Sequence, residues 1–220
     1  MESTLNTGHQ QIHPSDSEQL LGATISNDFT WNEHVAEMLK TLNLRINGLR
    51  KVSFAANFKC RKMLANGLVM SKLVYAIQVY GSASEYLIDI LQVQQNEAAR
   101  IVTRLGWTAN TKTSLMQVGW LSIRQLVVFH SLLTVFKIHN SGQPRYFGQK
   151  FQRRFTYQSR KATGHCYSIT QTPHSERIKK SFYYKSIILW NSLPEEVRKI
   201  EDFKKFKSKL KLWIQSNMQI

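Results

Sequence analysis

Four groups of residues in this chain are of types that could do chemistry. His165, Cys166 and His174 are soft-metal ligands close in sequence, with Cys60 as a remote fourth. Structural zinc sites repeat short ligand pairs at fixed spacing. These residues follow no such spacing, so neither a metal nor any other cofactor is expected. Phosphoryl-transfer chemistry needs carboxylates placed to hold metal ions between substrate oxygens. Glu195-Glu196 and Glu201-Asp202 lie instead near helix starts, where they interact favourably with the helix dipole. His34 and His130 fall near apolar stripes and read as packed, hydrogen-bonded histidines rather than catalytic bases. There is no phosphate-cradling Gly-rich loop, His-Glu-x-x-His pair or nucleophile elbow. No active site is legible.

The fourth group is cationic. The 220 residues include 30 Lys+Arg against 14 Asp+Glu, a formal net charge of +16. Residues 1–40 hold one base and six acids, leaving 29 bases against 8 acids, or +21, in residues 41–220. Eleven bases and one acid, Glu176, lie between Lys137 and Lys185, and Lys204, Lys205, Lys207, Lys209 and Lys211 close the chain. Tyr146, Phe147, Phe151, Phe155, Tyr157 and Tyr167 are interleaved with the first of these clusters. That mixture suits phosphate neutralisation beside base stacking, and equally a half-buried loop whose arginines snorkel. For the terminal lysines the plain alternative is a solvated helix face. Such a balance points to a polyanionic partner.

Composition sets the outer bounds. At 42% hydrophobic and 11% aromatic the chain is too apolar to be wholly disordered. Only 10 Gly and 4 Pro argue against a turn-rich all-β architecture. Two cysteines cannot build a disulfide framework and fit a reducing compartment. The polar start is no secretory signal, and no run reaches the ~18 uninterrupted apolar residues of a membrane span. The expectation is an intracellular protein, nuclear or cytoplasmic, that is not secreted and has no transmembrane segment.

The elements that would position the cations are mostly helical. Residues 1–18 read as a flexible tail, and Leu20 to Ile25 as one short strand ending in an Asn27-Asp28 turn. Thr30 and Glu33 have capping-box spacing, opening a helix over about 31–51 with Val35, Met38, Leu42, Ile46 and Leu49 inward. Ser53 is placed to cap a second helix, with Phe54, Phe58, Leu64, Leu68, Leu73 and Ile77 in the core and Gly81 at its end. Ser82 and Glu85 repeat the box before a third helix, along which Leu87, Leu91, Ala98, Ile101 and Leu105 form a stripe that ends at Gly106. After a helical turn at about 113–118, Ser122 and Gln125 open a helix over about 123–139, stopped by Gly142 and Pro144. Residues 141–180 form a basic, irregular loop, and 181–220 fold as C-terminal helices: one over 181–191, then one lined by Phe203, Phe206, Leu210 and Ile214.

Several runs resemble one family. Leu21-Gly22-Ala23-Thr24-Ile25 followed by Thr30-Trp31-Asn32-Glu33-His34-Val35 is similar to the "LGV-x-I … L-x-W-x-x-H-I" run of non-LTR (LINE-type, Jockey-like) retrotransposon reverse transcriptases. Val74-Tyr75-Ala76 to Tyr80-Gly81, Leu91 to Ile101 ("LQKVQNRALRLI") and Gly119-Trp120-Leu121-Ser122-Ile123 ("LGWLSL") resemble later runs in family order. Lys180 to Tyr184 through Leu189-Trp190-Asn191-Ser192-Leu193-Pro194 resembles the terminal "KSFxYRxxxLWNSLP". Together the matches cover about residues 20–212.

The resemblance implies the thumb and post-thumb C-terminal region of such a polymerase. The family's catalytic Asp-Asp motif does not occur in these residues, so the chain is expected to be no enzyme. By analogy 19–29 is a primer-grip-like strand pair, with Leu21 and Gly22 at the grip, and 30–140 a helical thumb or connection-like domain. Its cations would lie on template–primer backbone: Arg45, Arg50 and Lys51 at the end of the first helix, Arg61 and Lys62 in the second, and Arg153, Arg154, Arg160 and Lys161 in the basic loop. Trp31, Trp120 and Trp190 read as apolar anchors that hold the fold.

The expected function is therefore non-specific binding of RNA, DNA or hybrid duplex, with no small-molecule substrate. The alternative is a non-catalytic protein-interaction or structural remnant. A membrane-surface role for the Lys204 to Lys211 helix, whose apolar side includes Trp213, is the weakest of the three.

Overall fold

The computed structural model describes every residue except 1–4, 7, 9–10, 107, 152–165, 168–174 and 219–220. The fold is mostly helical, with short antiparallel strand pairs at the N-terminal end. It divides into two compact units, Met1–Ala76 with Ala83–Trp107 and Ile77–Ser82 with Thr108–Ile220. This division runs through the segment 30–140, read above as one domain.

In the first unit, β1 (Leu5–Asn6) pairs with β2 (Gln11–Ile12), and β3 (Ser17–Leu20) with β4 (Ala23–Ser26). The single strand expected over Leu20 to Ile25 is thus two, reversing at Leu21-Gly22 with φ of 49° and 77°. Positive φ at both central residues is the mark of a tight two-residue hairpin loop. Asp28 then organises the entry to α1 (Asn32–Ser53). Its carboxylate accepts from the Ser26 hydroxyl at 2.5 Å and from the Thr30 amide at 2.9 Å, and these bonds hold its pKa below that of an ordinary aspartate. Thr30 is therefore engaged with Asp28, Trp31 takes the cap position with no side-chain cap bond to the helix, and the Thr30–Glu33 capping box does not form.

The stripe Val35, Met38, Leu42, Ile46 and Leu49 is buried as its spacing requires. Ser53 still belongs to α1; the next helix is capped by Asn57, which accepts from the Cys60 amide at 2.9 Å. That helix runs as α2 (Phe58–Ala65), a π-helical turn (Asn66–Met70) and α3 (Ser71–Val74). It breaks at Tyr75-Ala76, where Ala76 has φ 53°, rather than at Gly81. Phe54 is 82% exposed and Phe58 37%, so neither joins the core, because the cap lies later than Ser53. Helix α5 (Glu85–Thr103) is capped by Ser84 rather than Ser82 and ends on left-handed Arg104 rather than Gly106. It packs on α1 and α2 through Leu87, Leu91, Ala98 and Val102.

The second unit is built around α7 (Ile123–Ser141), opened by the expected Ser122–Gln125 capping box and closed by Gly142 with φ 65°. It follows α6 (Thr111–Val118), whose end at Gly119 is left-handed. Helix α4 (Ile77–Tyr80) lies so close to α7 that a Cβ on Gly81 would sit 2.7 Å from the Val127 side chain. Then come α8 (Arg145–Lys150), α9 (Glu176–Lys180), α10 (Phe182–Ser192), α11 (Glu195–Arg198) and α12 (Phe203–Asn217). Helices α10 and α12 both pack on α7. By composition, Thr111–Ser141 is long and apolar enough to cross a membrane, but 72% of its apolar window is buried, as in a core helix.

Candidate nucleic-acid interface

The division into units redistributes the charge. The first unit holds ten bases and nine acids, a net +1, and the second twenty bases and five acids, a net +15. The acidic first forty residues are thus matched by the basic residues that fold with them, and nearly all the excess lies in the second unit.

Within the first unit, guanidinium groups are turned onto backbone carbonyls. Arg61 is 6% exposed and donates from Nε to the Val102 carbonyl at 2.9 Å and from Nη1 to that of Ala56 at 2.6 Å. Val102 lies in the last turn of α5, whose final carbonyls have no intrahelical partner and favour a cation. Arg104 does the same for α1, donating from Nη2 to the Ser53 and Phe54 carbonyls at 3.0 Å each. Arg45 donates from Nη1 to the Leu68 carbonyl, in the π-helical turn, at 2.9 Å. Burial, and next the charge of Arg104, lower the Arg61 pKa, yet a guanidinium stays charged in proteins. Arg61 was expected on nucleic acid; it is a buried clamp between α2 and α5, since leaving those carbonyls would leave them unsatisfied.

The other expected residues are placed differently. Arg50 is exposed and pairs with Glu97 of α5, with a further bond from Nη1 to Asn47 at 2.8 Å. Lys51 is exposed and Lys62 half-buried, and neither has a carboxylate partner among the described residues. Arg153, Arg154, Arg160 and Lys161 lie outside the described residues. Leu21, 85% exposed, and Gly22 occupy the hairpin turn, where the Tyr75 hydroxyl donates to the Leu21 carbonyl at 2.5 Å.

The aromatics interleaved with the basic loop do not line up for stacking. Phe151 and Tyr167 are buried, 4% and 3% exposed, in a ring cluster with Tyr183 and Trp190. His139 and Tyr167 hydrogen-bond through Nδ1 and Oη at 2.6 Å. Asn191 locks the segment: its Oδ1 accepts from the Tyr167 amide at 3.0 Å, and its Nδ2 donates to the Tyr167 carbonyl at 2.9 Å. Trp190 and Leu193 beside it are buried, so this motif serves the core. Tyr146 is the exception at 61% exposed; Phe155 and Tyr157 lie outside the described residues.

Helix α12 presents the densest described row of cations. Phe206, Leu210 and Ile214 are buried, while Lys204, Lys205, Lys207 and Lys209 are exposed. With 3.6 residues per turn, Lys204 and Lys207 flank one side of the apolar stripe and Lys205 and Lys209 the other. Phe206 stacks on Phe136 of α7 at 4.2 Å between centroids, and the next residue of α7, Lys137, holds its Nζ 5.6 Å from the Phe203 ring centre. Burial first, then the charges of Lys207 and Lys137, lower the pKa of His130. Neither α7 nor α12 contains an acid.

Sequence reading missed the structural arginines. A signal for Arg61 was present: it precedes Ala65, Val69 and Leu73 at four-residue steps, on the buried side of its helix. Among the described residues no three His, Cys, Asp or Glu side chains gather into a metal site, and His165 and His174 lie outside them. No family model, curated protein or solved structure matches the chain.

Proposed function

We propose that this chain binds the phosphate backbone of RNA, DNA or hybrid duplex without sequence preference and without catalysis. The observation that carries this reading is the net +15 of the second unit against +1 in the first. A field of one sign concentrated on one unit attracts polyanions and is costly to fold without one. The reading is also supported by the likeness of Leu21 to Ile25, Leu91 to Ile101 and Lys180 to Pro194 to the C-terminal region of LINE-type reverse transcriptases, a kinship proposed here on those motifs. Two free cysteines, Cys60 and Cys166, fit the reducing interior of a cell, where nucleic acid is met.

The test is affinity against salt. Each phosphate contact contributes a log–log slope of about −0.9 on duplex and about −0.7 on single strands. Several contacts would give a steep fall, with little difference between unrelated sequences. A flat dependence on both substrates, with a defined oligomer by light scattering, would overturn the reading in favour of a protein-interaction role.

A further inference from the structure

We infer that the phosphate-binding face is the flank of α12 bearing Lys204 and Lys207, completed by Lys137 of α7. This rests on the nucleic-acid reading above and commits it to one surface.

Three observations converge on that flank. All three lysines are exposed, and none has a carboxylate partner among the described residues. Lys137 of α7 holds its Nζ 5.6 Å from the Phe203 ring of α12, which sets cations from two helices side by side, and the charges of Lys137 and Lys207 both lower the pKa of His130. Contacts between Phe136 and both Phe203 and Phe206 fix the two helices there, so the cations cannot move apart with their backbones. Like charges at helical spacing repel by a few tenths of a kcal/mol per pair. A surface that holds three cations with no acid paired to them among the described residues is suited to a ligand that brings the missing charge.

The geometry favours a duplex backbone. Lys204 and Lys207 lie about 4.5 Å apart along the helix axis, and a duplex presents a phosphate about every 3.4 Å on each strand. Stacking on single-stranded bases needs a run of exposed rings; Phe203 is 38% exposed, with Lys137 Nζ 5.6 Å from its centre, whereas Phe136 and Phe206 beside it are buried. The face therefore offers phosphate contacts rather than base contacts. Lys205 and Lys209, on the opposite flank of the same helix, make an internal comparison with similar net charge and exposure.

The experiment uses the full chain and a short DNA duplex of random sequence, with affinity measured across a salt series. Replacing Lys137, Lys204 and Lys207 together by Gln should flatten the log–log slope by about 2 to 3. Lys204→Arg/Lys207→Arg should keep the parent slope, because the cations remain. Lys205→Gln/Lys209→Gln should leave the slope near that of the parent. Equal flattening by the two Gln variants overturns the assignment to one flank. So does a triple variant that loses binding to phosphatidylserine vesicles but keeps duplex, which would make the face a membrane contact. A parent chain with no salt-sensitive duplex binding would instead overturn the functional reading itself.

Discussion

The guanidinium of Arg61 donates to the carbonyl of Val102, 41 residues away in sequence, at 2.9 Å. With its second bond to Ala56, this joins α2, the end of α5 and the loop after α1 through one buried cation. Arg61→Ala should lower unfolding stability by about 1–3 kcal/mol, the penalty for stranding buried acceptors. Arg61→Lys should recover only part, since an ammonium cannot span two carbonyls as a planar fork does. Urea unfolding checks both. An unchanged midpoint with weakened duplex binding would return Arg61 to the interface.

Tyr75 fixes the hairpin turn from outside the hairpin. Its hydroxyl donates to the Leu21 carbonyl, and its ring lies 3.5 Å from where a Cβ on Gly22 would be. Leu21 holds φ 49°, which costs an L-residue about 1 kcal/mol. Leu21→Gly should therefore stabilise by up to about 1 kcal/mol, and Tyr75→Phe destabilise by about 0.5–1.5 kcal/mol. Thermal unfolding of the two variants should move in opposite directions.

Asn191 bonds both backbone groups of Tyr167, so its loss leaves a donor and an acceptor unpaired beside the aromatic core. Asn191→Ala should cost about 1–3 kcal/mol. Asn191→Asp should not restore stability, because a carboxylate accepts from the Tyr167 amide but cannot donate to its carbonyl. Chemical denaturation of the pair separates a hydrogen-bond role from simple side-chain volume.

Two histidines make stability depend on pH in one direction. Burial first, then Lys72, lowers the pKa of His34, with Glu37 opposing, and burial with Lys207 and Lys137 lowers that of His130. His34 also accepts the Thr24 amide on Nδ1 at 3.3 Å, a role only the unprotonated nitrogen can fill. The unfolded chain thus binds protons more readily, so their contribution is complete above about pH 6.5 and is lost as pH falls toward the depressed folded-state values. Urea midpoints should be lower at about pH 5.5 than at about pH 7.5. Lys207→Gln should raise the His130 titration midpoint measured by NMR.

Much of this was legible in the sequence where one signal dominated. The stripe from Val35 to Leu49 and the Ser122–Gln125 box appear where their spacing placed them, because burial and local capping agree there. Legibility failed where a competing partner outbid the expected one. Asp28 took Thr30 away from its capping box, and Arg104 ended α5 two residues before a glycine suited to the task. The π-helical turn over Asn66–Met70 shifts the helix by one residue, and nothing local announces it. Charge was misread for the same reason. Counting along the chain put the acidic residues at one end, whereas folding sets them among the cations of the first unit and leaves the second unit basic.

Lysine footprinting tests that segregation most directly: acetylation of the free and duplex-saturated chain, read residue by residue by mass spectrometry. Protection is expected at Lys137, Lys204 and Lys207 of the second unit, with Lys40, Lys51, Lys59 and Lys62 of the first unit modified equally in both states. Protection confined to Lys51 and Lys62, with α12 unchanged, would contradict it.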